Sequence, residues 1–292
     1  MYPVRCLLVE KQYILPDISP KGRSDSKNLT CLPIDDYGQR YNMKPKWFTT
    51  FNKKPDANTV LFCFPFAGGT ASIFSSWHES LSDDVEVFAL QAPGKASRLS
   101  ETPINNMEEF ATQIAANITP LIDRDYVFFG HSLGARVAFE VSLKLVEKGL
   151  PPPKHFIASA SSAPSIKRKK APLYGLPEAQ LIDKLRELGG TPDLVLDNEQ
   201  LRSIYFPAIR ADFQILDKYQ GNISKLEASA HIFYGLQDHT IEIEDIIYWK
   251  EHFTQPCELY SLEGGHFFID SEKEKVLYLI NQILQSSYLL KR

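Results

Sequence analysis

The segment Gly130-His131-Ser132-Leu133-Gly134 sets a serine between two glycines, where the short apolar run 126–129 gives way to the helical pattern 135–148. A Gly-x-Ser-x-Gly turn between a strand and a helix holds the serine on a tight elbow with its hydroxyl projecting. That is an arrangement for nucleophilic attack on an acyl carbon. Strand, turn and helix in that order favour a nucleophile over the simpler reading of a helix-capping serine.

A serine hydroxyl is a weak nucleophile at neutral pH, so it needs a base, and the base needs an acid to orient it. For a serine on such an elbow, the acid and then the histidine follow in chain order. His266 lies in Glu263-Gly264-Gly265-His266-Phe267-Phe268, after an apolar run ending near Ser261, and its glycines let the loop approach the serine. Of the other six histidines, His239 comes nearest to this context. Asp238, in Tyr234-Gly235-Leu236-Gln237-Asp238-His239, is the acid that fits the order. Its simpler role would be a turn aspartate bonding its own backbone. Asp212 competes, but it falls within a helical pattern and is poorly placed to orient His266. Charge developing on the carbonyl oxygen calls for backbone donors. The N–H of Leu133 is one, and the glycine-rich bend Phe64-Pro65-Phe66-Ala67-Gly68-Gly69 offers the N–H of Ala67 as the other. The Gly-Gly pair could also be a plain turn, and it lacks the Lys-Ser/Thr ending of a phosphate-binding loop.

These residues need a frame. From Thr59 onward, short β-rich runs at 59–64, 85–90, 126–129, 156–160, 231–234 and 257–261 alternate with helical spacing at 107–121, 135–148, 244–253 and 271–284. The alternation predicts a mostly parallel sheet flanked by helices, and with the elbow it predicts the α/β-hydrolase fold. Residues 167–219 are too long for an ordinary crossover, and hold two predicted helices, 177–188 and 198–216, the second open to a kink at Pro207. An insertion of this kind commonly forms a lid over a site. Residues 47–292 are read as one domain, preceded by an N-terminal extension, 1–46, without sustained periodicity between Pro16 and Tyr41. Met43 stands just before the domain, so residues 1–42 are expected to be dispensable or to reflect a misassigned start.

Composition narrows the function classes. The 292 residues are 43% hydrophobic and 23% charged, enough for one sizeable core. The net charge of −4 gives no polyanion-binding signature, so nucleic acid is not expected as a partner. Eight basic and five acidic residues give the extension a local +3, leaving −7 on the rest. Cys6, Cys31, Cys63 and Cys257 are scattered, without metal-ligand or disulfide spacing. The apolar run 6–9 is far too short for a signal-peptide core or a membrane span. The expectation is a cytoplasmic monomer with no membrane contact and no metal or other cofactor.

Taken together, several stretches resemble the stand-alone type II thioesterases that accompany nonribosomal peptide and polyketide synthases, and the related medium-chain fatty acyl thioesterases. They are 61–69, the elbow with Ala138-Phe139-Glu140 after it, Leu188-Gly-Gly-Thr-Pro192, Arg210-Ala-Asp-Phe213 and Gly264-Gly-His-Phe-Phe268. The resemblance runs from about Trp47 to the C-terminus and implies the triad Ser132, Asp238 and His266, the donors Ala67 and Leu133, and the lid. It departs at Leu133, often Met in the family, and at Pro93-Gly94-Lys95-Ala96, where the family has Pro-Gly-Arg-Glu. The implied activity is editing: hydrolysis of aberrant or stalled acyl groups from the phosphopantetheine arm of an acyl or peptidyl carrier protein. The basic run Lys167, Arg168, Lys169 and Lys170 could attract the arm's phosphate or an acidic carrier surface, although such runs are commonly solvated linkers. Two other readings stay open: a carboxylesterase or lipase acting on free small esters, and a catalytically silent protein that docks on a synthase.

Overall fold

Every residue of the strand Thr59–Phe64 is buried, because successive side chains point to opposite faces of a sheet covered on both sides. Val60, Phe62 and Phe64 enter one core and Leu61 and Cys63 the other, and Tyr126 to Phe129 divide the same way. The computed structural model describes residues 46–221 and 223–289. The expectations for the extension, Met43, Cys6 and Cys31 lie outside these residues, apart from Lys46.

The strands are β1 (Phe48–Thr49), β2 (Thr59–Phe64), β3 (Val85–Leu90), β4 (Asp125–His131), β5 (His155–Ser159), β6 (Ser229–Gly235) and β7 (Cys257–Leu262). The helices are α1 (Met107–Ile118), α2 (Leu133–Glu147), α3 (Glu178–Leu188), α4 (Asp193–Asp197), α5 (Glu199–Lys218), α6 (Ile243–Ile247), α7 (Phe268–Ser271) and α8 (Lys273–Leu289). The sheet order is β1-β3-β2-β4-β5-β6-β7, with only β1 antiparallel to its neighbour. After β3 the chain crosses to the far side of β2, so strand order reverses between β2 and β4. In open α/β sheets, ligands bind beyond the strand ends at such a reversal. Phe64 pairs with Gly130 there, aligning the end of β2 with the start of the elbow.

Helices α1 and α2 cover one face. Asn106 caps α1 by accepting from the Glu109 N–H at 3.0 Å, and Phe110, Ile114 and Ile118 face inward at helical spacing. On the other face, Val276, Ile280 and Ile283 of α8 join Phe74 and Trp77. The rings of Phe62, Phe64 and Phe128 meet edge to face, with Phe64 and Phe128 5.0 Å apart. Each such ring contributes about 1.5–3 kcal/mol by burial.

Some boundaries depart from the sequence reading. The pattern 244–253 is α6 followed by a 3₁₀ turn over Tyr248–His252, and 271–284 begins in α7 and continues as α8. Strand β1 and helix α4 have two and five residues, too short to leave a periodic signal. Helix α5 is capped by Asn198 and is continuous through Pro207. A third apolar cluster, including Leu181, Leu185, Phe206, Ile209 and Phe213, joins α3 and α5 over the strand ends.

Candidate active site

The elbow turns on steric necessity. A side chain at Gly134 would place its Cβ 2.1 Å from the Phe64 carbonyl oxygen, so only glycine lets α2 start against the end of β2. Ser132 adopts φ 56° and ψ −118°, a costly backbone conformation held by its N–H donating to the Ser159 carbonyl at 2.7 Å. Its hydroxyl faces the loops that follow β6 and β7.

Those loops are stitched together: Leu236 N–H donates to the Leu262 carbonyl at 2.9 Å and Gln237 N–H to Gly264 at 3.0 Å. The stitching brings Asp238 and His266 to Ser132. His266 Nε2 lies 2.9 Å from Ser132 Oγ, and His266 Nδ1 lies 2.7 Å from Asp238 Oδ2. With Nδ1–H donating to the carboxylate, the Nε2 lone pair faces the serine hydroxyl. Burial pushes the Asp238 carboxyl up, but His266 and two bonds from Thr240 outweigh it and hold its pKa below the ordinary value. Those bonds run from Thr240 N–H and Oγ1 to Oδ1 at 2.8 and 2.6 Å, and the hydroxyl also lies 2.9 Å from His266 Nδ1. The sequence reading did not single out Thr240, whose signal is the Asp-x-Thr spacing of an Asx turn.

The proposed backbone donors come from the bend after β2 and from the first residue of α2. The bend after β2 is a turn closed by Gly69 N–H donating to Phe66 at 2.9 Å, with Gly68 at φ 82°, where a side chain would be strained. Ala67 and Ser132 line one cavity. As the first residue of α2, Leu133 has an N–H without an intrahelical acceptor. Asp212 lies elsewhere: it accepts from the Gly68 N–H at 2.6 Å and pairs with Lys95. It therefore braces the bend from α5 instead of contacting His266.

The cavity, of about 110 Å³, lies between the strand ends and α3 and α5, with Leu185, Leu188 and Phe213 among its apolar walls. Phe267 packs edge-on to Phe66 at 4.9 Å and lies under Gly190, where a Cβ would meet its ring at 2.3 Å. The basic run divides. Arg168 pairs with the buried Asp217, Lys169 lies 3.0 Å from Asp245, Lys170 reaches the His239 carbonyl at 3.4 Å, and Lys167 is exposed. Arg168 and Lys170 reach the cavity wall. Among the described residues, no group of three or more His, Cys, Asp or Glu could hold a metal, and no helix is long and apolar enough to cross a membrane.

A serine, imidazole and carboxylate in this relay can acylate and deacylate the serine. The Thioesterase domain family matches residues 59–284, which span all three side chains. The chain belongs to the thioesterase family. This thioesterase is 34% identical over 240 residues to the gramicidin S biosynthesis protein GrsT of Aneurinibacillus migulanus, covering 82% of this chain and 94% of that one. It is 33% identical over 249 residues to the human medium-chain S-acyl fatty acid synthase thioesterase, covering 82% and 93% of the two chains. Among solved structures it is similar to RedJ, a thioesterase from the prodiginine biosynthetic pathway of Streptomyces coelicolor. That match has 31% identity and a TM-score of 0.74, covering 79% of this chain and 92% of RedJ. The fold is that of the α/β-hydrolases, and the protein is a thioester hydrolase.

Proposed function

We propose that this thioesterase edits a nonribosomal peptide, polyketide or fatty acid assembly line, releasing aberrant or stalled acyl groups from the phosphopantetheine arm of a carrier protein. The observation that carries the chemistry is the relay from Asp238 through His266 to Ser132 Oγ. Its relatives' work in gramicidin S and prodiginine biosynthesis supports the setting.

Ser132 Oγ bonds to the thioester carbonyl carbon as His266 Nε2 takes its proton, and Asp238 steadies the imidazolium. The Ala67 and Leu133 N–H groups receive the oxyanion. The C–S bond breaks, the departing sulfur takes the proton from His266, and an acyl-serine remains. Water then loses a proton to His266 and attacks the acyl carbon, and Ser132 Oγ leaves with that proton as the carboxylic acid forms. The segment 167–219 serves as a lid, with the exposed Lys167, Lys169 and Lys170 at its start facing the carrier or its arm and Arg168 turned inward to Asp217.

The test is acid release from a panel of acyl-loaded carrier proteins by wild type and Ser132→Ala. The reading expects turnover across several acyl groups, lost by roughly 1,000-fold or more in the variant. Efficient hydrolysis of small free esters, with carrier-bound acyl groups left intact, would replace it with the esterase reading.

A further inference from the structure

Arg136 lies one helical turn beyond Ser132 on α2, and both residues line the same cavity. Only 3% of the arginine is exposed. Its Nη2 donates to Ser162 Oγ at 2.6 Å and to the Ile166 carbonyl at 3.2 Å, bracing the chain after β5. Its Nη1 is buried and meets no hydrogen-bond partner among the described residues. Among the described residues no carboxylate bonds to the guanidinium: Asp217 pairs with Arg168, Glu140 accepts from the Tyr219 hydroxyl at 2.6 Å, and Asp245, paired with Lys169, acts on Arg136 only through space. The face of Tyr219, 5.5 Å away, provides a cation–π contact and no counter-charge.

A buried cation without a bonded counter-ion is costly, and an unpaired buried donor adds to the cost. Both costs are relieved if a ligand supplies an anionic oxygen. The cavity wall has the composition for it, since it includes Arg136, Arg168 and Lys170 and no carboxylate side chain. Ser161 and Ser162 make this end polar, whereas Leu185, Leu188 and Phe213 line the remainder.

Resting on the thioesterase reading, we propose that Arg136 determines specificity in a polar acyl subsite that takes acyl chains ending in a carboxylate. The phosphate of a phosphopantetheine arm is the other anion near such a site. It is separated from the thioester by the whole pantetheine chain, whereas the acyl chain starts at the carbon attacked by Ser132. A cavity this small suits a short dicarboxylic acyl group. Its distal carboxylate approaches the Arg136 guanidinium at the cavity wall while its thioester carbonyl meets the Ala67 and Leu133 donors.

The experiment compares glutaryl and pentanoyl N-acetylcysteamine thioesters, matched in chain length, with wild type and R136M. Wild type should have a kcat/KM for glutaryl at least equal to that for pentanoyl. In R136M the glutaryl-to-pentanoyl ratio should fall roughly 10- to 100-fold, the share of a charge-assisted hydrogen bond to a buried ion. A ratio unchanged in R136M, or wild type favouring pentanoyl by a similar margin, would overturn the proposal. Calorimetric binding to Ser132→Ala, which keeps Arg136, gives a readout independent of turnover and of how R136M folds. Glutaryl thioester should bind about tenfold more tightly than pentanoyl, and equal or weaker binding counts against the subsite. If Ser132→Ala binds glutaryl selectively but wild type hydrolyses neither thioester, the subsite stands and the catalytic reading fails.

Discussion

His131 Nε2 lies 2.9 Å from the carbonyl oxygen of His266, so the residue beside the serine donates a hydrogen bond into the loop that carries the imidazole. Its other nitrogen is 2.9 Å from Ser159 Oγ, which must donate because Nε2 holds the proton. Burial first, and then the charge of nearby His266, lower the His131 pKa to about 3, so the ring stays neutral in this tautomer. His131 is therefore a positioning residue linking the elbow, β5 and the His266 loop.

His131→Leu should lower kcat by roughly 10- to 100-fold with KM little changed, since it frees the His266 backbone without touching substrate. His131→Gln can still donate to the His266 carbonyl and should recover part of the loss. Steady-state kinetics on one acyl thioester check this, and equal losses in both variants would reduce His131 to a packing role.

Lys95 and Asp212 form a buried pair across the bend that carries Ala67. Asp212→Ala leaves an uncompensated buried charge and should cost about 3–5 kcal/mol in urea unfolding. Replacing both together, K95M with D212L, should cost less than Asp212→Ala alone. Turnover should still fall in the double variant, because the Gly68 N–H loses its acceptor and the bend loses its brace. Full activity in that variant would show that the bend needs no support from α5.

Buried histidines make stability pH-dependent, three of them strongly shifted. Burial holds His131 at about 3, His155 at about 4 and His231 at about 3, against an ordinary 6.5, with Lys154 adding to the shift of His155 and the neighbouring imidazoles of His266 and His155 adding to those of His131 and His231. Below about pH 6.5 the unfolded chain takes up protons that the folded chain refuses until near its own lower values. Stability is thus fully present above that pH and lost as pH falls, by up to about 1.4 kcal/mol per pH unit for each histidine. Urea midpoints between pH 7 and 5 should fall accordingly, and His231→Gln should flatten the slope by about one proton. A midpoint independent of pH over that span would contradict the assignment.

The elbow was legible because strand, serine turn and helix are contiguous, and the order serine, aspartate, histidine followed from loops after successive strands. Contributions made by tertiary contact alone were not. Arg136 is covered by the segment after β5, a contact that no local pattern signals. Asp212 reads as a polar residue of the insertion, because its partner Lys95 lies 117 positions away. Thr240 gains its role only once Asp238 has turned back onto its backbone.

Glycine at position 190 lets the inserted segment lie directly on the ring of Phe267, the immediate neighbour of His266. The cover over the cavity and the group that shuttles protons therefore share one aromatic plate. Any displacement of that cover would be felt at the ring standing edge-on to the imidazole, 5.2 Å between centroids.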